Sequence, residues 1–172
     1  MAITVLNSQG TKIYIAPKGT DVSDCTKVKT ALAAAKLVGC PQSLGEIAET
    51  RSVTEYKCLS SNESAKALGA ISRGSLEVGL LLDIDDATNT SAGGQAALKA
   101  AFKDNEEVIV MIELPDGTPA GPSGTPAGKH GTMYIFNAGV SGVGTTIEQD
   151  AAISYKVTLE ISSDIKECSK EP

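Results

Sequence analysis

Residues 152–162, Ala152-Ile-Ser-Tyr-Lys-Val-Thr-Leu-Glu-Ile-Ser162, alternate apolar and polar side chains without a break. In an extended chain successive side chains point to opposite faces, so Ile153, Tyr155, Val157, Leu159 and Ile161 share one face. Ala152, Ser154, Lys156, Thr158, Glu160 and Ser162 share the other. This is the signature of a half-buried antiparallel strand. Upstream, Glu107-Val-Ile-Val-Met-Ile-Glu-Leu114 puts Val108, Val110, Ile112 and Leu114 on one face and Ile109 and Met111 on the other, which predicts a strand covered on both sides. Leu76-Glu-Val-Gly-Leu-Leu-Leu-Asp83 and Thr132-Met-Tyr-Ile-Phe-Asn-Ala-Gly-Val140 read as two more strands. Ile13-Tyr-Ile15, after the turn-like Asn7-Ser-Gln-Gly10, suggests an early hairpin, and residues 45–56 a weaker strand.

One helix stands out, over residues 91–103. Ser91 is placed to cap it, and Leu98, Ala101 and Phe102 form the stripe expected to pack on the sheet. Residues 31–36 have helical propensity as well, but their apolar positions go too far round to name a buried face. The reading is a mainly β fold with one packed helix, in a single domain over residues 1–163. Residues 57–74, rich in Ser, Asn, Ala and Lys, form a long connection that is either functional or mobile. Between 117 and 131 the pentapeptide Gly-Thr-Pro-Ala-Gly occurs twice, which predicts a protruding loop, because proline cannot donate to a sheet ladder. The polar residues 164–172 are expected to reach away from the body as an arm.

At 172 residues with a formal charge of −6, the chain is long enough for an apolar core without staples. It has no apolar run of membrane-spanning length and no basic-then-apolar leader, so it reads as made and used in a cytosol, away from membranes. The four cysteines, Cys25, Cys40, Cys58 and Cys168, form no C-x-x-C pair. In such a compartment they are expected to be reduced and idle. With only His130 to assist them, zinc and redox dithiol sites are excluded. Aromatics amount to 3% with no Trp, which leaves little for stacking bases or sugars.

Short catalytic patterns fail one by one. Gly124-Thr-Pro-Ala-Gly-Lys129 lacks the spacing of a phosphate loop and has His130 where a magnesium-binding hydroxyl belongs. Ala138-Gly-Val-Ser-Gly-Val143 lacks the second glycine of a nucleophile elbow. Ser163-Asp-Ile-Lys166 has no partner motif, and Asp83-Ile-Asp-Asp86 lacks the glycine and bidentate glutamate of a calcium loop. His130 reads as a solvated side chain. No enzyme activity, cofactor or metal site is indicated. Charge is uneven instead: residues 1–40 carry +3 and residues 76–116 carry −7. Opposite patches of this kind suit association of identical copies, with the two segments facing each other between subunits.

The serial order of Gly94-Gln-Ala-Ala-Leu-Lys-Ala-Ala-Phe102, Val108-Ile-Val-Met-Ile-Glu-Leu-Pro-Asp-Gly117, Met133-Tyr-Ile-Phe-Asn-Ala-Gly-Val140 and Ala152–Ile161 resembles the major tail tube proteins of long-tailed, siphovirus-type bacteriophages. Gly45-Glu-Ile-Ala-Glu-Thr-Arg-Ser-Val-Thr-Glu-Tyr56 and Gly74-Ser-Leu-Glu-Val78 extend the likeness over most of residues 42–163. The resemblance implies a β-sandwich or barrel with a flanking helix, whose copies join into hexameric rings that stack as a virion tail tube, assembled in the host cytoplasm. Such a tube conducts DNA during ejection without reading its sequence. The implied partners are further copies of the chain, a tape measure protein, a tail terminator and baseplate or tail-tip proteins. By position, residues 57–74 become the loop that reaches a neighbouring ring, with Lys57, Ser60, Asn62, Glu63, Lys66 and Arg73 as contact candidates. Glu77, Asp83, Asp85 and Asp86 become acidic candidates for subunit contacts or the channel wall. The doubled Gly-Thr-Pro-Ala-Gly segment is longer than the family's simple hairpin, and no C-terminal decoration domain is present. A tube subunit of a contractile injection or secretion system is the alternative, and an extracellular β-sandwich binding module a more distant one.

Overall fold

A computed structural model of the chain describes residues 9–57, 64–82, 93–117 and 129–170. In chain order the elements are β1 (Lys12–Pro17), α1 (Cys25–Ala34), β2 (Lys36–Val38), β3 (Pro41–Leu44), β4 (Glu49–Lys57), β5 (Ser64–Arg73), β6 (Ser75–Leu81), α2 (Gly94–Asp104), β7 (Glu107–Glu113), β8 (Met133–Thr146), β9 (Ser154–Ile161) and β10 (Lys166–Cys168). The fold is mainly β, as read from the sequence, with two helices where one was expected.

The alternating stretch is β9, with Tyr155, Val157, Leu159 and Ile161 buried. It pairs antiparallel with β6 on one side and β8 on the other. The main sheet runs β2-β1-β7-β8-β9-β6-β3, and β10 also pairs with β8. Its two end strands, β2 and β3, are consecutive in the chain, joined only by Gly39 and Cys40. Cys40 turns the chain with a left-handed φ of 50°, and its carbonyl accepts from the Leu81 N–H at 3.0 Å. The two margins therefore meet at this corner and the sheet rolls round on itself.

Inside the roll, Ile13, Ile15, Leu76, Val78, Leu80, Val108, Val110, Ile112 and Phe136 join the β9 residues in one apolar cluster. Each such side chain stabilises the fold by about 1.5–3 kcal/mol relative to exposure. The predicted two-sided burial of β7 is observed. Ile109 and Met111 face the second cluster, formed with Ala16, Met133, Ile135, Cys168 and with Val28 and Leu32 of α1. β1 has no early hairpin partner among the described residues; it pairs with β2 and β7.

α2 adds Leu98 and Ala101 to the inner cluster. Its first residue is a glycine because the chain passes very close: a Cβ on Gly94 would lie 2.5 Å from the Leu37 carbonyl oxygen. Ser91 lies outside the described residues, and the N-cap position is taken by Gly93, without a side-chain cap. Phe102 departs from its expected place and is 41% exposed. The buried stripe runs through Gly94, Gln95, Leu98 and Ala101, which leaves residue 102 on its flank.

Two further expectations are overturned at the C-terminus. Residues 166–168 do not reach away: β10 pairs with residues 133–135 of β8, and the Lys166 ammonium donates to the Val22 carbonyl at 2.7 Å. Nor are all the thiols idle. Cys25 and Cys168 form a disulfide across a sequence separation of 143, with Cα atoms 5.6 Å apart. The bond ties the start of α1 to a three-residue strand.

Two consequences are measurable by denaturant unfolding. Closing so long a loop restricts the unfolded chain, so Cys25→Ser is expected to lower stability by about 3–5 kcal/mol and to make the protein indifferent to reductant. Leu98→Ala is expected to cost about 3 kcal/mol, whereas Phe102→Ala on the exposed flank costs under about 1 kcal/mol.

Candidate assembly surfaces

Of the residues expected to form the long loop, 57 ends β4 and 64–73 form β5, while 58–63 lie outside the described residues. β4 and β5 pair only with each other, in a separate two-stranded sheet. At nine and ten residues the strands extend about 30 Å. One face carries the cross-strand pairs Arg51–Ile71, Val53–Leu68 and Glu55–Lys66; the other carries Thr50–Ser72, Thr54–Ala67 and Tyr56–Ala65. The register shifts between Arg51 and Val53, opposite Gly69, where a Cβ would lie 2.2 Å from the Ser52 hydroxyl oxygen. Val53 is 56% and Leu68 67% exposed, with Tyr56 and Ile71 exposed as well. A two-stranded ribbon with no covered face is marginal by itself in water.

Of the loop candidates, Lys57 and Lys66 lie on this ribbon. Ser60, Asn62 and Glu63 lie outside the described residues. Arg73 sits at the root, where its Nε donates to Glu49 at 3.2 Å and its Nη2 to Asp164. These contacts, within the subunit, join the ribbon to the residues that precede β10. The apolar pair Val53 and Leu68, absent from the candidates, is the most exposed apolar feature of the ribbon; only the lack of any core-facing alternation in residues 49–57 pointed to it.

A second open margin is the far half of β8. Strand β7 ends where Glu107 pairs with Gly139, while β9 continues alongside as far as Thr146. Among the described residues, positions 140–146 have no strand on the β7 side. Cβ atoms added at Gly139 or Gly144 would meet nothing within 4 Å, so packing inside the subunit does not demand these glycines. An unpaired, glycine-rich strand margin is a template for another chain's backbone.

The acidic candidates divide. Glu77 is exposed on β6 and pairs with Lys156 at 2.8 Å; Asp83, Asp85 and Asp86 lie outside the described residues. The basic and acidic segments were expected to meet between copies. Within one copy the two segments already share an ion pair, Lys18 and Glu107 standing 2.7 Å apart. The hydrogen bond from Lys18 holds the Glu107 carboxyl below its usual range.

His130 is not simply solvated. Its Nδ1 lies 3.1 Å from Glu113 Oε1, which also accepts from the Gly131 N–H at 3.2 Å, while the Tyr14 hydroxyl donates to Glu113 Oε2 at 3.2 Å. Next to it, Asp116 accepts from the Thr132 N–H and hydroxyl, both at 2.7 Å. Burial raises the Asp116 carboxyl, but these bonds outweigh it and the net shift is downward. The set acts as a clasp at the base of the proline-rich segment, most of which (118–128) lies outside the described residues. An open groove of about 590 Å³ is lined by Gly10, Ile13, Pro41, Leu44, Leu114 and Pro115 among others, none ionisable. No group of metal-ligating side chains occurs among the described residues, and no helix there is long and apolar enough to cross a membrane.

The sequence matches no protein-family model and no curated protein. The fold does match solved structures. A chain of the anti-feeding prophage baseplate, sixfold symmetrised, aligns over 98% of both chains with a TM-score of 0.63 and 8% identity. The SPP1 tail tube aligns over 97% of this chain and 80% of that one, at 0.62 and 14% identity. A chain from the tail of an empty gene transfer agent particle, refined with C6 symmetry, aligns over 96% and 100%, at 0.62 and 12% identity. The chain thus has the tail-tube fold.

Two phenols, Tyr155 buried and Tyr14 half-buried, give this fold an alkaline limit. Burial, then the nearby Glu113 carboxylate, pushes Tyr14 up to about 12, and burial pushes Tyr155 up to about 12. A group whose folded pKa lies above its unfolded value of about 10 stabilises fully below pH 10 and loses that contribution as pH rises through 12. Stability is expected to fall between pH 10 and 12, and a phenolate titration followed by ultraviolet absorbance should contain two late steps that vanish on unfolding.

Proposed function

We propose that this chain is a structural subunit that polymerises as stacked hexameric rings into a phage tail tube, the conduit for DNA ejection into a host cell. The observation that carries the reading is the bare β4–β5 ribbon on a body with the tail-tube fold. A projection of about 30 Å with Val53, Leu68 and Ile71 in water gains stability only when a surface outside the subunit covers it. A second copy supplies that surface without any further protein. The open β8 margin is the counterpart within a ring: edge-to-edge pairing closes by rotation, and ring-on-ring stacking through the ribbon is the open repeat along the axis. Glu77, Asp83, Asp85 and Asp86 are assigned to subunit contacts or to the channel wall, where negative charge keeps phosphates from sticking. The tape measure protein, terminator and tail-tip proteins are the partners this role requires.

A second reading, the tube of a contractile injection system, is favoured by the anti-feeding prophage and PVC sheath–tube structures among the matches. Both readings make the same object. They differ in cargo, and a neighbouring gene for a tape measure protein or a tail assembly chaperone favours the first.

Electron microscopy of purified protein tests the common part. Hollow fibres or six-fold rings are expected, and isolated particles at every concentration and buffer tried would overturn the proposal. Val53→Asp combined with Leu68→Asp should leave circular dichroism unchanged and abolish tubes; normal tubes from this variant would remove the ribbon from the interface.

A further inference from the structure

The two sulfurs of the Cys25–Cys168 bond are unequal. Cys25 is exposed, whereas Cys168 is 5% exposed and belongs to the apolar cluster beneath α1. Cys25 is the first residue of a ten-residue helix. The positive end of the helix dipole therefore lies beside its sulfur. Both cysteines border one small cleft of about 130 Å³ whose walls include Lys29, His130 and Lys170. Lys29 stands one turn along the helix from Cys25, on the same face. Opposing negative charge is partly engaged: the Asp24 carboxylate accepts from the Lys27 N–H at 2.8 Å, and Asp21 pairs with the Lys27 ammonium at 2.7 Å.

An exposed helix start with Lys29 and Lys170 on the same cleft favours the thiolate, which is the nucleophilic form, while apolar burial favours the neutral thiol. We propose that Cys25 is an exchange-reactive thiol that takes low-molecular-weight disulfides as its co-reactant, with Cys168 as the resolving thiol. In the reduced subunit the Cys25 thiolate attacks one sulfur of a small disulfide, RSSR. A mixed disulfide forms, the S–S bond of RSSR breaks, and RS⁻ leaves and takes a proton from water. Cys168 then gives up its proton and attacks Cys25 Sγ, which releases the second RS⁻. Two protein thiols are oxidised and one RSSR is reduced to two RSH. Burial shields Cys168 from the outside reagent, while the 5.6 Å Cα separation keeps it within reach of Cys25. The product bond fixes β10 to the start of α1. A subunit made in a reducing compartment is thus stapled on meeting an oxidising one.

Oxidised glutathione is the probe, on the reduced full chain carrying Cys40→Ser and Cys58→Ser to silence the other thiols. With Cys168→Ser added, one glutathione adduct is expected at Cys25; with Cys25→Ser instead, adduct at Cys168 should form roughly tenfold or more slowly. Intact mass and peptide mapping read both rates. Limiting iodoacetamide on the reduced chain with Cys25 and Cys168 both present avoids dependence on the folding of either variant, and should alkylate Cys25 first. Equal rates at the two positions, or faster reaction at Cys168, would overturn the assignment.

Discussion

Everything in the body takes its place from β7, which is buried on both faces and hydrogen-bonded along both edges. Val108, Val110 and Ile112 fill the roll, Ile109 and Met111 seat α1, and β1 and β8 flank it. No position along it except the end residues tolerates an unpaired polar group. Such a strand has a weakness: with both faces apolar, a one-residue slip exchanges two sets that are nearly equivalent in hydrophobicity. The ends supply what the middle lacks. Glu107 pairs with Lys18, and Glu113 gathers Tyr14, His130 and Gly131, so a slipped register would leave a nearly buried carboxylate without its donors.

From β7 outward, β8 is the element that connects core to margin. Its first half lies between β7 and β10, and its second half keeps only β9. Fourteen residues are more than the core needs. The excess carries glycines at 142 and 144, which neither pack nor stiffen the strand, and it leaves one row of backbone groups without a strand partner among the described residues. The ribbon repeats this pattern, since β4 and β5 satisfy each other's backbone and leave their side chains bare.

How much of this was legible followed from periodicity. β6, β7, β8 and β9 were readable because each has a core face, and burial imposes a period on sequence. β4 and β5 have none, so Thr50, Ser52 and Thr54 read as a weak strand and Ala65, Lys66 and Ala67 as loop. α1 was half legible: its propensity showed, but Ala31, Ala33, Ala34 and Ala35 surround the helix and hide the buried stripe of Val28, Ala31 and Leu32. The disulfide left no local trace, because pairing of positions 25 and 168 follows from β10 joining β8 and not from anything near either cysteine. Phe102 misled in the opposite sense, since a large apolar residue at core spacing invites burial that the helix flank does not provide.

The geometry also separates two tasks that one chain must perform. The staple acts where β10 meets residues 133–135, at the beginning of β8, and the open margin occupies residues 140–146, at its far end. Between the middles of these two segments lie about nine residues, or about 30 Å of extended backbone. The bond joins α1, which packs on the sheet, to β10, which pairs with the start of β8, and neither the ribbon nor the far half of β8 pairs with either element. Locking them therefore leaves the far half of β8 as it was, while Asp164, two residues before β10, meets Arg73 at the root of the ribbon. What it changes is the cost of peeling α1 off the outer face of β7, the strand on which the rest is built, and β10 off its pairing with β8.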